Sequence, residues 1–196
     1  MKKVLIIGGT AKLAKPIISK LESNGYEISA MTFRQSNKIY GNYTWIKLDF
    51  YDKNSIINFL DVLKSNFYSK IIFLPGNSLG KIYKNISENE MISFYNAFLI
   101  NYISLIIDLS NRLDYDGQII FISSIAANIP IQDAHYSAVK AGVEAFIRSL
   151  SIQLKSGQSA FSISPATITD KMREDISNLI AESNFSYNGK TIDFHQ

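Results

Sequence analysis

The chain has 196 residues, 46% of them apolar, which is enough to bury one sizeable core, so a single domain over 1–196 is expected. Its 20 basic and 17 acidic residues leave a net charge of +3 with no basic block and no aromatic interleaving, so no nucleic-acid partner is expected. The lack of cysteine excludes disulfides and thiolate chemistry, and two histidines separated by most of the chain give no pattern for a protein-built zinc site.

Met1-Lys2-Lys3 is basic, but the apolar run Val4 to Ile7 ends at Gly8-Gly9, too short for the apolar region of a signal peptide. That run reads as a strand, and the helical pattern from about Leu13 closes at Asn24-Gly25. Glu27 to Phe33 and Thr44 to Leu48 read as the next two strands. Asp52 can cap a helix with Ile56, Ile57, Leu60 and Leu63 on its apolar face. Lys70 to Leu74 follows as a fourth strand, and Ser87 to Glu90 has the form of a capping box opening a long helix to about Arg112. Within it the stretch from Phe98 to Leu109 holds Asn101, Ser104 and Asp108, which argues against a membrane span; a cytoplasmic location is expected.

Asp114 to Gly117 reads as a turn, Gln118 to Ile122 as a fifth strand, and His135 to Leu154 as a helix. Ala160 to Ser164 is a sixth strand, a short helix lies near Asp175 to Ala181, and Thr191 to Phe194 is the last strand. Uniformly apolar strands alternating with helices predict an α/β domain: a Rossmann-like, doubly wound parallel sheet of about seven strands covered on both faces.

A strand running into Gly8-Gly9-Thr10 and then a helix places backbone N–H groups and the positive helix end beside an anion, usually a pyrophosphate. Gly8, Thr10, Lys12 and Leu13 are the loop positions expected to meet it. The three-glycine spacing of ordinary dinucleotide loops falls here on Gly8, Lys12 and Ala14, so the Lys12 chain must turn outward or offer its charge to a phosphate. The second strand ends Thr32-Phe33-Arg34, with no acid between Ile28 and Leu48. Arg34 and Lys12 favour NADP(H) over NAD(H), because arginine suits a 2′-phosphate where a carboxylate suits the ribose hydroxyls.

Tyr136 and Lys140 are four residues apart in a helical pattern, with β-carbons about 6 Å apart on one face. A cation there is expected to lower the phenol pKa from its usual value near 10. Ser124 lies just after the fifth strand, at the carboxyl edge where open α/β sheets bind ligands, and could hold a substrate carbonyl beside the tyrosine.

Taken together, Ile-Ser-Ser at 122–124, Tyr136-Ser-Ala-Val-Lys140-Ala-Gly and Ser164-Pro165-Ala166 resemble the short-chain dehydrogenase/reductase family in order and spacing. The resemblance implies Ser124 as the donor to substrate oxygen, Tyr136 as the acid/base, and Lys140 as the group that binds the nicotinamide ribose and lowers the tyrosine pKa. It further implies Asn101 as organiser of a proton-relay water and Asp49 at the adenine. Gly76 is all that remains of the family's Asn-Asn-Ala-Gly after the fourth strand, and Pro165 sits at the nicotinamide end, with Ala166 in place of the usual glycine. The segment after Pro165 is short against the family's substrate lid.

The function so implied is NAD(P)H-dependent reduction of a carbonyl to an alcohol, or the reverse, on a small-molecule or carrier-bound substrate. A non-catalytic dinucleotide sensor or scaffold on the same fold is the alternative. A nucleotide-sugar epimerase would need a C-terminal substrate domain. Phe94, Phe98, Ile106 and Leu109 on the long helix, with Val143, Phe146, Ile147 and Leu150 on the next, exceed what one sheet face need bury. They suggest exposed apolar stripes that pair chains into a homodimer or homotetramer.

Overall fold

The computed structural model describes residues 2–33, 41–63, 66–74, 76 and 85–194. Seven strands, β1 (Lys2–Ile7), β2 (Tyr26–Phe33), β3 (Trp45–Lys47), β4 (Tyr68–Phe73), β5 (Leu113–Ile122), β6 (Ser159–Pro165) and β7 (Thr191–Phe194), form one sheet in the order β3-β2-β1-β4-β5-β6-β7. Every neighbouring pair is parallel.

Period-two alternation along the central strands feeds two cores. Leu5, Ile7, Ile71, Phe73, Ile119 and Phe121 face one side. There they meet α2 (Lys53–Val62), α3 (Glu88–Tyr95), α4 (Asn101–Ser110) and α5 (Ala134–Leu150). Val4, Ile6, Ile72, Ile120 and Ile163 face the other side, under α1 (Ala14–Ser23) and α6 (Asp170–Glu182). Strands so covered can be apolar throughout, as the sequence pattern required.

Several elements differ from their sequence outlines. Asp114 to Gly117 is not a separate turn. Tyr68 pairs with Leu113 and Lys70 with Gln118, so these residues bulge out of β5 opposite Ser69, whose hydroxyl donates to Asp114 at 2.8 Å. On α2 the buried face centres on Ser55 and Phe59, and Ile57 is 56% exposed, because the helix is rolled one position from the expected stripe. The last helix is 13 residues long, capped by Thr169, which accepts from the Met172 N–H, and it packs beside α1 as a sheet-covering helix.

The long helix begins with the expected capping box between Ser87 and Glu90. By length and composition Glu88–Ser110 could cross a membrane, but its apolar face is spent on the sheet. Between α3 and α4 it widens into a π-helical segment, Asn96–Ile100. Phe94, Phe98, Ile106, Leu109, Val143, Ile147 and Leu150 are all buried in the first core, and Phe146 packs partly buried against it. The expected exposed stripes are therefore absent at these positions: helices stacked on a sheet and on each other bury more than one narrow face.

A buried cation interrupts the second core. Lys70, 2% exposed, donates to Gln118 Oε1 and to the side chain and carbonyl of Ser183 at the end of α6, while Gln118 Nε2 donates to Ser159. Burial pulls its pKa from 10.5 down to about 7. Below pH 7 both folded and unfolded states hold the proton and the cost of burying the charge is fully present. Between 7 and 10.5 only the unfolded state holds it, so this contribution to stability rises with pH. Urea unfolding from pH 6.5 to 9 should show a wild-type slope that exceeds that of Lys70→Met by up to about 1.4 kcal/mol per pH unit, the value for one proton. Identical slopes would mean that Lys70 does not titrate there.

Candidate active site

Strand order turns at β1, whose neighbours are β2 on one side and β4 on the other, and ligands of open α/β sheets bind beyond the carboxyl ends of strands at such a point. The loop that leaves β1 there is held from below. Gly8 takes a positive φ of 88°, its N–H donates to Thr32 Oγ1 at 2.8 Å, and the Gly9 N–H donates to the Thr32 carbonyl at 2.9 Å. A β-carbon on Gly9 would stand 3.0 Å from Met31 Cβ and from the Trp45 ring, so a side chain there would press on β2 and β3 and force its neighbours to give way. Thr10 is half-buried, Leu13 is buried in the second core, and Lys12 is exposed.

The helix that follows differs from the other helices that open from a loop. Asp52, Ser87, Asp133 and Thr169 cap α2, α3, α5 and α6 with their own side chains. The start of α1 has no side-chain cap and no acid in its first turn. Lys12 and Lys15, both exposed, flank it instead. A helix end left without its own anion, with two lysines beside it, fits a phosphate group supplied from outside.

The other side of the site is built by β5, β6 and α5. Ser124 follows β5 and opens a short 3-10 turn, Ile125–Ala127, by accepting from the Ala126 N–H at 3.2 Å. That bond uses a lone pair of the hydroxyl oxygen and leaves its O–H able to donate. Asp133 accepts from the Tyr136 N–H at 2.9 Å and so fixes the first turn of α5, and Tyr95 Oη lies 3.1 Å from His135 Nδ1. Gly76 passes over the Tyr136 hydroxyl, 3.8 Å from the position of an added β-carbon. A larger residue there would intrude on the space above the phenol.

Lys140 is almost wholly buried. Its ammonium donates to the Ile122 carbonyl at 3.1 Å and lies 4.8 Å from the centre of the Phe121 ring and 5.5 Å from that of Tyr136. Burial lowers its pKa to about 8, and the charge of Glu144 one turn further on pulls it back up. Glu144 is buried too, its carboxyl raised by burial and held down by the Ser164 hydroxyl, which donates to it at 3.3 Å.

The expected lowering of the Tyr136 phenol is not found. Burial raises it, hydrogen bonding with Ser124 works the other way, and the Asp133 carboxylate raises it further. The lysine is on the correct face, but it is desolvated and drawn onto a backbone carbonyl, so its field does not dominate.

Asn101 is the first residue of α4, directly after the π-helical segment, and its amide donates to the Phe50 carbonyl at 2.9 Å. Asp49 accepts from the Tyr51 N–H at 3.1 Å, and its own N–H donates to Ser55. Through Phe50, Asn101 is tied to the segment that follows β3, next to Asp49 in sequence. Pro165 ends β6 and is buried, with the Ala166 N–H bonded to Phe194. Arg34 lies outside the described residues. Reading by motif missed Thr32, Asp133 and Glu144. The last two carried a signal, an acid just before a helix and an acid one turn after the lysine; Thr32 had none.

A parallel sheet with an uncapped helix after its first strand and a serine, tyrosine and lysine at the same carboxyl edge defines a dinucleotide-binding α/β domain. The short chain dehydrogenase family matches residues 2–179, and the chain belongs to that family of oxidoreductases. No curated protein matches it in sequence. Among solved structures it is similar to a short chain dehydrogenase family protein from Francisella tularensis, at 19% identity and a TM-score of 0.84, over 99% of this chain and 97% of that one. A short-chain dehydrogenase/reductase from Brucella melitensis described as a glucose/ribitol dehydrogenase gives 17% and 0.85, over 98% and 94%. A short chain dehydrogenase from Burkholderia cenocepacia, solved in complex with NADP, gives 16% and 0.83, over 98% and 96%.

The Thr32 contact is testable. In Thr32→Val the shape persists but the Gly8 N–H loses its acceptor, which should cost about 1 to 3 kcal/mol of stability. Denaturant unfolding should register that loss, and dinucleotide affinity should fall with it. A variant as stable as the wild type would show that the contact does not hold the loop.

Proposed function

We propose that the chain catalyses NAD(P)H-dependent reduction of a carbonyl to an alcohol, or the reverse reaction, with Ser124, Tyr136 and Lys140 at the reacting centre. The observation that carries this reading is their convergence: Ser124 beside the Tyr136 phenol, Lys140 beneath its ring, and the uncapped α1 start along the same edge. Gly8, Thr10, Lys12 and Leu13 would take the pyrophosphate and Asp49 the adenine. Gly76, Pro165, Tyr136 and Lys140 would surround the nicotinamide end. Arg34 and Lys12 favour a 2′-phosphate, and the Burkholderia relative contains NADP.

The bound dinucleotide supplies hydride. Ser124 donates to the substrate oxygen and orients the carbonyl. Tyr136, raised by burial, stays protonated at neutral pH and is the acid in reduction. The Lys140 ammonium stabilises the phenolate left behind. A small-molecule or carrier-bound carbonyl compound fits this chemistry.

Tyr136→Phe keeps the ring but removes the proton, so turnover should fall at least about a hundredfold with cofactor affinity nearly intact; wild-type turnover would refute the assignment. Lys140→Ala should impair both. Lys140 is charged below its pKa of about 8, so kcat/KM for reduction should hold a plateau under that value and decline above it. A profile flat to pH 10 would remove Lys140 from the reaction. NADPH should bind more tightly than NADH, and Arg34→Ala should erase about 1.5 to 3 kcal/mol of that preference.

The chains are further proposed to pair as at least a homodimer. In place of the buried stripes, Ile92, Ile100 and Ile107 are 48%, 57% and 47% exposed along α3, the π-helical segment and α4. Sedimentation at micromolar concentration should show a species larger than 22.1 kDa; a purely monomeric profile would overturn the proposal.

A further inference from the structure

Tyr136, Lys140, Glu144 and Arg148 stand four residues apart along α5, so their side chains follow one row of the helix surface. Helical side chains lean toward the N-terminal end, which carries each of the last three over the turn that bears the one before it. The contacts agree. The Lys140 ammonium lies 5.5 Å from the centre of the Tyr136 ring, and the Arg148 guanidinium lies 3.8 Å from the Glu144 carboxylate. The row runs phenol, ammonium, carboxylate, guanidinium, from the candidate site out to the surface, where the Arg148 side chain is 50% exposed.

Glu144 is the buried member for which the reaction proposed above has no use. It is 1% exposed, and the Ser164 hydroxyl at the end of β6 donates to it at 3.3 Å. A carboxylate taken out of water is costly unless it is paired, and one neutral hydroxyl does not compensate it. If packing were the only demand on this position, an apolar side chain would meet it at lower cost. Lys140 has the opposite need: it is 4% exposed, its ammonium set on the Ile122 carbonyl and 4.8 Å from the centre of the Phe121 ring. Each has in the other an opposite charge one helical turn away. Burial draws Lys140 down to about 8, and the charge of Glu144 works against that fall.

We infer that Glu144 is a positioning residue for Lys140: one turn along α5, its buried carboxylate is the counter-charge that keeps the ammonium protonated beneath the Tyr136 ring, and so it sets the alkaline limit of the reaction. The catalytic consequence rests on the function proposed above; the charge pairing does not. Among the described residues, the other titratable groups around the pair are Tyr136 and Arg148 on the same helix, Tyr102 of α4, which lines a small cavity with Tyr136 and Lys140, and Asp193 of β7, whose charge acts on Glu144.

The test compares the wild type with Glu144→Gln, which keeps the shape and an oxygen for the Ser164 hydroxyl but removes the charge. Carbon-13 NMR titration of the lysine side chains should place Lys140 about one pH unit lower in the variant. With NADPH and a carbonyl substrate, the high-pH limb of kcat/KM should move down with it, a loss of about fivefold at pH 8 and little at pH 6. Lys140→Met supplies the reciprocal measurement: the Glu144 carboxyl should titrate higher by the same amount, since coupling between two sites is mutual. A Lys140 titration indifferent to Glu144→Gln overturns the inference, as does a Glu144 titration indifferent to Lys140→Met should the first variant not fold. An alkaline limb that stays in place while turnover persists overturns it too. If no carbonyl compound is turned over while both titrations move as expected, the proposed function fails and the charge pairing stands. If Tyr136→Phe abolishes turnover but Glu144→Gln leaves the lysine titration and the pH profile unaltered, the role of Glu144 fails alone.

Discussion

The constraint on which the rest depends is the burial of a parallel sheet on both faces. Parallel strands need crossovers, most of the crossovers among the described residues carry helices, and helices on both sides leave the central strands no wet face. Every chain segment leaving a strand must then emerge at one edge. That is why Gly8, Gly76, Ser124 and Pro165, spread over most of the sequence, lie at the ends of four adjacent strands. It is also why a polar side chain within the strands is costly unless it is bonded: Lys70, Gln118 and Ser159 form a chain of hydrogen bonds inside an otherwise apolar layer.

Desolvation governs the electrostatics of the candidate site. Lys140 is shifted down while Glu144 and Tyr136 are shifted up, each toward its neutral form, and burial is the first cause in all three. Specific contacts resist it: Glu144 on the lysine, Ser164 on Glu144, Ser124 on the phenol. The result is a site whose charge is only weakly pinned. A ligand that brings hydroxyls or phosphates to this edge would supply the missing polar contacts.

The sheet was legible because its strands are short apolar runs bounded by glycine or polar residues, and the site because Ser124, Tyr136 and Lys140 keep a spacing that chemistry requires. What escaped was set by tertiary packing. Ile57 is apolar at a plausible helical position, yet the roll of α2 against the sheet decides which side is inside. The aromatic residues of α3 and α4 looked like surplus for an interface; sheet and neighbouring helices absorb them. The bulge at Asp114 to Gly117 carries turn residues whether it ends a strand or interrupts one. The phenol's upward shift was illegible for a similar reason, since spacing brings Lys140 close but cannot say that Ile122 claims its proton.

The contrast among helix starts bears on how this fold binds anions. A side-chain cap satisfies one of the first N–H groups and is ordinarily worth about 1 kcal/mol, and four helices here take that benefit. At α1 the cap is forgone, and Lys12 and Lys15 add positive charge where the helix dipole is already positive. In the free chain these choices are both mildly unfavourable. A negative group at the end of β1 would relieve both, so this helix start is suited to an anion. The loop from Gly8 to Leu13 can carry that cost because Thr32 and the packing of Gly9 hold it from beneath, leaving its upper side for the anion.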